Sequence, residues 1–532
     1  MLLASRHARP SPARGPAVSP VFGRLLRGLL AGVFAAGVVA PWSVSAQDLA
    51  SFEQRTTVHT LKNGWTFIIV ERPVAPVFSF ATQADVGAAQ DPKGQTGMAH
   101  MFEHMAFKGT PVIGTKDYEK EKVAIDEMET AYQAYVHARD QLKPDKAEVE
   151  TRLKAFKEKE TAAAAFVKAN EFDEVVAREG GVGLNAGTNS DSTVYFYSLP
   201  ANKFELFCYL ESERFWRPVF REFYKERDVV IEERRMRTES QPIGRLVERF
   251  NGAAFAAHPY GRPPVGYRSD LERYTMTDAK AFFDQYYPPA NLVTTIVGGI
   301  KAQEVIPIIE KYFGRVPARP KPEPLRTVEP QQIAEMVLTL KDPSQPFYVE
   351  GYHKPSGTHP DEPAYDALSD ILTRGNTSRM YRTLVRDKKI AVAVQGFSGF
   401  PGSKYPNLWL LYAVPGRGIT NDAVRDAMRA ELAKVQTEDV TDEELRRFKT
   451  RTKADLLRSL NNNSGLAQQF SLFQTLYGDW KELFRYVDRV DKVTKEDVKR
   501  VAATLFVDAN RTVGRIETQT APTSKPATEA QR

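Results

Sequence analysis

The stretch Gly97-Met98-Ala99-His100-Met101-Phe102-Glu103-His104-Met105-Ala106-Phe107-Lys108-Gly109-Thr110 decides how this chain is read. It is rich in Met, Ala, Phe and His and has no β-branched residue before Thr110, which predicts a buried helix over 97–107. Of the eight histidines in the sequence, only His100 and His104 lie four apart. On a helix, positions i and i+4 share a face about one turn apart, so both imidazoles reach a common ion. Glu103 lies beside them, placed to contact water without being a ligand.

His-x-x-Glu-His is the inverted form of a zinc-binding motif. Two core histidines on a packed helix would look the same, so the zinc reading requires a third ligand. Arg221-Glu222-Phe223-Tyr224-Lys225-Glu226-Arg227-Asp228-Val229-Val230-Ile231-Glu232-Glu233-Arg234 reads as a helix with Glu226 and Glu233 seven apart, two turns along one face. Glu233 is the expected third ligand, and Glu226 is expected to orient a ligand or the water. Glu232 competes for the ligand role but points about 100° away on a helix. The one cysteine, Cys208, sits in Phe207-Cys208-Tyr209-Leu210 and reads as a small buried hydrophobe, so histidine and carboxylate must hold any metal. Three protein ligands leave a tetrahedral position open to water, as in catalytic rather than structural zinc, which predicts one Zn2+ per chain with Glu103 as its base.

Outward from the motif, Thr60 to Val70 reads as two strands around an Asn63-Gly64 turn, and Val77 to Val86 as a third. Residues 116–179 are dense in Lys, Glu, Ala and Gln, with a break at Lys143-Pro144. This predicts a helical hairpin on the domain surface, with a flexible charged insert as the alternative. A glycine turn at 180–183 precedes a strand from Ser192 to Leu199, two helices (204–214 and 224–239) and a strand from Thr294 to Gly298. The proline-rich run from Val316 to Pro324 predicts a linker over 316–332. A second α/β region is expected over 333–516, with a disordered polar tail over 517–532. Setting Gly109 against Gly375 places His100, Glu103 and His104 opposite Asp366, Ser369 and Asp370, as in a duplicated domain whose second copy lacks a metal site.

At 532 residues, more than one core is expected. Residues 1–46 hold Arg6, Arg9, Arg14, Arg24 and Arg27 and no acidic residue; without those five the net charge of +6 falls to +1. No basic surplus is left for nucleic acid. An apolar run from Leu29 to Ala40, followed by Val44-Ser45-Ala46, predicts a cleaved secretory signal peptide over 1–46, a periplasmic location and no stable membrane span in the mature chain. An uncleaved anchor and a mitochondrial transit peptide are the alternatives.

With the 97–110 stretch, Asn185-Ala186-Gly187-Thr188, Thr193-Val194-Tyr195, Glu226 to Glu233, His258-Pro259-Tyr260-Gly261 and Tyr287-Pro288-Pro289-Ala290-Asn291, the chain resembles the M16 (pitrilysin-like) zinc metallopeptidases over about residues 55–515. The resemblance implies an α+β fold: two homologous M16-type domains, each an antiparallel sheet with helices, forming half of a peptidase chamber. The first (55–315) would carry the zinc, and the second would lack it. It further implies that Asn185, Ala186 and Thr188 form the edge that binds peptide substrates as an added strand. Two departures stand out. The 116–179 insert lengthens the path from His104 to Glu233. In the segment from Ser378 to Ile390, Arg386 takes the family's substrate-binding arginine position, but its tyrosine position falls on Ala393. The resemblance therefore implies a second M16-type subunit supplying an Arg/Tyr pair, with a homodimer as second choice. The alternative function is a non-catalytic scaffold subunit.

Overall fold

The computed structural model describes residues 49–519. The expected signal peptide, and the expected tail beyond Gln519, lie outside the described residues. The first half builds β1 (Thr56–Thr60), β2 (Thr66–Glu71), β3 (Val77–Ala84) and α1 (Met98–Met105). The helices α2 (Tyr118–Arg139), α3 (Lys146–Ala164) and α4 (Glu171–Arg178) follow. Next come β4 (Val182–Thr188), β5 (Thr193–Pro200), α5 (Phe204–Trp216), α6 (Phe223–Arg234) and α7 (Pro242–Ala254). This half closes with α8 (Met276–Tyr286), β6 (Leu292–Gly298) and α9 (Ala302–Phe313). Its sheet has the order β1-β2-β6-β3-β5-β4 and is antiparallel except where β2 meets β6. β4 is therefore an edge, hydrogen-bonded to β5 alone.

Residues 317–333 have no regular structure. The second half then forms β7 (Met336–Asp342), β8 (Phe347–Lys354), α10 (Glu362–Thr373), β9 (Ala391–Phe400) and β10 (Asn407–Pro415). It continues with α11 (Asn421–Thr437), α12 (Asp442–Leu460), α13 (Asn463–Tyr477), α14 (Glu482–Lys492), α15 (Lys495–Leu505) and β11 (Arg511–Thr518). The sheet order is β7-β11-β8-β10-β9, antiparallel except for β7 beside β11. The chain thus has the expected two α+β domains, each with one parallel pair in a mainly antiparallel sheet.

Each sheet has two faces to keep from water, and each half lends a helix to the other. β3 is buried along almost its whole length because both its faces are covered. On one side lies the core with Met101, Phe102 and Phe207; on the other, α13 lays Leu466, Ala467 and Phe470 against Ile68, Val70, Ala81 and Val297. In return, α7 packs Leu246 and Phe250 against Val349, Leu408 and Ile516 of the second sheet. Gly351 makes room for it: a Cβ there would stand 2.7 Å from the Phe250 ring.

The insert is more deeply embedded than a surface hairpin. Its second helix stops at Ala164, and a third short helix, α4, leads into β4. Ile125, Met128 and Tyr132 of α2, with Phe156 of α3, join the first core, where the Tyr132 and Phe156 rings meet Tyr224 of α6. Among the described residues no helix is long and apolar enough to cross a membrane.

Candidate metal centre

Helix α1 begins at Gly97, whose φ of +89° and contact with the Val265 carbonyl leave no room for a side chain. The Asp91 carboxylate accepts the N–H groups of Gly97 (2.7 Å) and Ala99 (2.8 Å), fixing the first turn. Met98, Met101, Phe102 and Met105 go into the core, which leaves His100 and His104 facing α6. Their rings are 4.9 Å apart and nearly perpendicular.

Glu233 reaches across from α6. Its Oε1 is 3.7 Å from His100 Nε2 and its Oε2 is 3.5 Å from His104 Nε2. One ligand atom from each of the three residues lies within 4.8 Å of the others, and no other such group occurs among the described residues. Two donors each about 2.1 Å from one ion at the tetrahedral angle stand about 3.4 Å apart. The observed separations match that spacing, so the residues fit a zinc ion with two imidazoles and a carboxylate. Glu232, by contrast, is half exposed and bound to Arg235.

The surrounding charges sort the groups. Burial, and then repulsion by His104, depress the His100 imidazolium to about 4. For His104 burial acts the same way, but Glu226 and Glu233 outweigh it and lift the pKa to about 9. Glu226 Oε1 faces His104 Nδ1 at 3.5 Å, and its other oxygen is paired with Lys108. Glu103 is pushed above the usual carboxylate range by burial, although hydrogen bonds from Thr188 oppose the shift; its Oε2 has no hydrogen-bond partner.

Thr188 ends β4, so the edge strand runs directly to Glu103. Asn185 and Ala186 of that strand line a cavity of about 270 Å³ together with Glu103, His104 and Glu226. Arg386 is not part of this assembly: its exposed guanidinium pairs with its neighbour Asp387. Ala393 lies on β9 of the second sheet and offers no hydroxyl.

Three residues escaped the sequence reading. Lys108 holds Glu226, and Arg237 pairs with Glu233 Oε1 at 2.5 Å. Each lies four residues after a member of the cluster, a helical spacing that could have pointed to them. Arg221 is 1% exposed and joins α6 to both the insert and the loop after α1. It donates to both Glu121 oxygens and to the carbonyls of Lys108, Thr110 and Ile113. No local pattern signals such a hub.

In the second domain, α10 occupies the place set against α1, and Gly375 follows it with φ +74° as Gly109 follows α1 with φ +91°. There Asp366 accepts the Tyr486 hydroxyl, Ser369 accepts Trp409 Nε1, and Asp370 pairs with Arg451.

Two α+β domains are present, and the first carries a His-His-Glu cluster beside the half-buried Glu103. The chain belongs to the M16 peptidase family: residues 66–158 match "Insulinase (Peptidase family M16)" and residues 273–452 match "Peptidase M16 inactive domain". It is similar to the zinc protease PqqE of Helicobacter pylori, with 28% identity over 460 residues, covering 85% of this chain and 90% of that one. A crystal structure of a protease from Helicobacter pylori superposes with a TM-score of 0.72 at 27% identity, covering 87% of this chain and 99% of that one. The periplasmic protease PqqL from Escherichia coli shares the fold, with a TM-score of 0.63 at 18% identity over 88% of this chain and 48% of the longer one.

Proposed function

We propose that the chain is a zinc-dependent endopeptidase in which His100, His104 and Glu233 hold one Zn2+ and Glu103 is the catalytic base. The observation that carries the reading is the convergence of these three ligand atoms within 4.8 Å beside the half-buried carboxylate of Glu103. Zinc, when bound, supplies Lewis acidity towards the scissile carbonyl and towards water. Glu103 does the proton work. Its free Oε2 takes a proton from the attacking water, and its raised pKa lets it hold that proton until the leaving nitrogen needs it. Glu226 keeps the Nδ1–H of His104 turned away from Glu233, so Nε2 faces the ion.

The substrate is a short or unfolded peptide that adds a strand to β4 beside Asn185, Ala186 and Thr188. Main-chain hydrogen bonds give affinity there, and side-chain pockets give selectivity. A second M16-type subunit completes the site with an Arg/Tyr pair, because Arg386 is bound to Asp387 and Ala393 has no hydroxyl. A homodimer is the second choice. The leader expected over 1–46 and the periplasmic setting of a relative of the same fold support a periplasmic location. The non-catalytic scaffold reading is disfavoured by the complete set His100, Glu103, His104 and Glu233.

The test is hydrolysis of a quenched fluorescent peptide library by the mature chain and its Glu103→Gln variant, with and without a zinc chelator. Chelator-sensitive cleavage that the variant loses would establish a self-sufficient zinc peptidase and count against the second subunit, whereas zinc at one per chain with peptide bound but not cleaved would direct the search to a subunit supplying the Arg/Tyr pair. A zinc-loaded wild type that binds no peptide would favour the scaffold reading.

A further inference from the structure

A second cavity, of about 260 Å³, touches the cluster through His100 and Glu233, and Arg237 is the one Lys or Arg in its lining. His100, Glu233 and Thr188 form the wall shared with the candidate metal site and the edge strand, and Arg237, Thr238, Glu248 and Asn251 contribute the other polar groups. Val247 and the segment from Pro263 to Val265 make the rest of the lining apolar.

The charges in this cavity are not equally free. Glu248 is committed to Arg234, taking two of its nitrogens at 2.7 and 3.0 Å. Glu233 belongs to the histidine cluster. Arg237 is three-quarters exposed, and its partner is Glu233 alone, at 2.5 Å. A cation beside a carboxylate that also serves a metal loses most of that attraction when the metal is present, because the ion neutralises the carboxylate and repels the guanidinium. Asn251 adds an independent sign of a ligand, one that brings a donor such as a peptide N–H, because a carboxamide oxygen only accepts. Asn251 is only 4% exposed, yet its Oδ1 has no hydrogen-bond partner. Buried carboxamide oxygens are seldom left so.

We infer that this cavity is a specificity subsite in which Arg237 receives the carboxylate of an Asp or Glu side chain flanking the scissile bond. The inference rests on the peptidase reading above. A peptide lying along β4 passes Thr188 into this cavity, and the guanidinium fork matches a carboxylate in bidentate fashion. In the cavity lined by Glu226 the cations are already paired, Lys108 with Glu226, Lys168 with Glu171 and Arg221 with Glu121, so it holds no comparably free cation for such a side chain.

The test uses the zinc-loaded Glu103→Gln chain, which holds peptide without turning it over, and fluorescence anisotropy with peptides carrying Glu, Gln or Lys at each position in turn. Expected is one position at which Glu binds roughly tenfold or more tighter than Gln. Arg237→Ala should bring the two within about twofold, and Arg237→Lys should keep most of the preference. Zinc content is measured on every variant, so that loss of metal is not mistaken for loss of the subsite. Equal binding of Glu and Gln peptides, or a preference that survives Arg237→Ala, overturns the subsite while leaving the peptidase reading intact. Failure of every peptide to bind, together with no cleavage by the wild type, overturns both.

Discussion

His104 Nδ1 stands 3.5 Å from Glu226 Oε1, and Lys108 pairs with the other oxygen of the same carboxylate. This chain of contacts fixes which imidazole nitrogen carries the proton, and so which one faces Glu233. Outer partners of metal-bound histidines typically contribute about 10–100-fold in affinity. Glu226→Gln should weaken zinc binding by about that factor while leaving the fold unchanged. Competition against a chromophoric chelator measures it, and an unchanged affinity would remove Glu226 from the metal centre.

The same contacts set a pH dependence. In the metal-free protein His104 titrates at about 9 and His100 at about 4. The raised value means that protonated His104 stabilises the metal-free fold fully below its unfolded pKa of about 6.5. That contribution is lost as the pH climbs through 9. Zinc requires neutral imidazoles, so at pH 7 its binding must expel about one proton from His104 and none from His100. Calorimetry in two buffers of different ionisation enthalpy counts it. A count near zero would show that Glu226 and Glu233 do not hold His104 protonated.

Arg221 and Glu121 form a buried ion pair that joins the insert to the start of α6, and the same guanidinium holds the Lys108 carbonyl. Removing one partner of such a pair typically costs about 3–5 kcal/mol, because the other charge stays buried and unpaired. Glu121→Ala should therefore shift the urea midpoint strongly. It should also weaken zinc binding, since Lys108 and Gly109 are held through Arg221. A variant of wild-type stability would mean that the insert is an appendage after all.

Much of the centre was legible because a helix turns local spacing into a shared face. His100 with His104, and Glu226 with Glu233, could be placed before their helices were seen to meet. The fold class was readable for a similar reason, from strand and helix periods separated by glycine and proline turns. Lys108 and Arg237 went unnoticed because charged residues four apart from other charged residues are ordinary on solvated helices. Arg221 and Glu121 lie 100 residues apart, and no periodicity relates them. The reciprocal covering of the sheets was equally hidden. Leu246 and Phe250 mark α7 as amphipathic, but nothing in that segment says that its apolar face belongs to the other half's sheet.

That covering leads to a last prediction. Phe250 is 1% exposed, and its ring fills the space left by Gly351 and Gly514 on β8 and β11. Truncating a buried phenylalanine typically costs about 3–5 kcal/mol, the transfer loss plus the cavity left behind. Phe250→Ala should cost that much, and Gly351→Val should be comparably harmful, since even a Cβ at that position stands 2.7 Å from the ring. Because α7 also packs against the turn after α6, the damage should reach Arg237 and loosen the cavity beside the cluster. Hydrogen exchange distinguishes the possible results. Faster exchange in both β8 and the 235–251 segment would show that the two halves are stabilised as one unit. Faster exchange in β8 alone would show that α7 covers the second sheet without bracing the site.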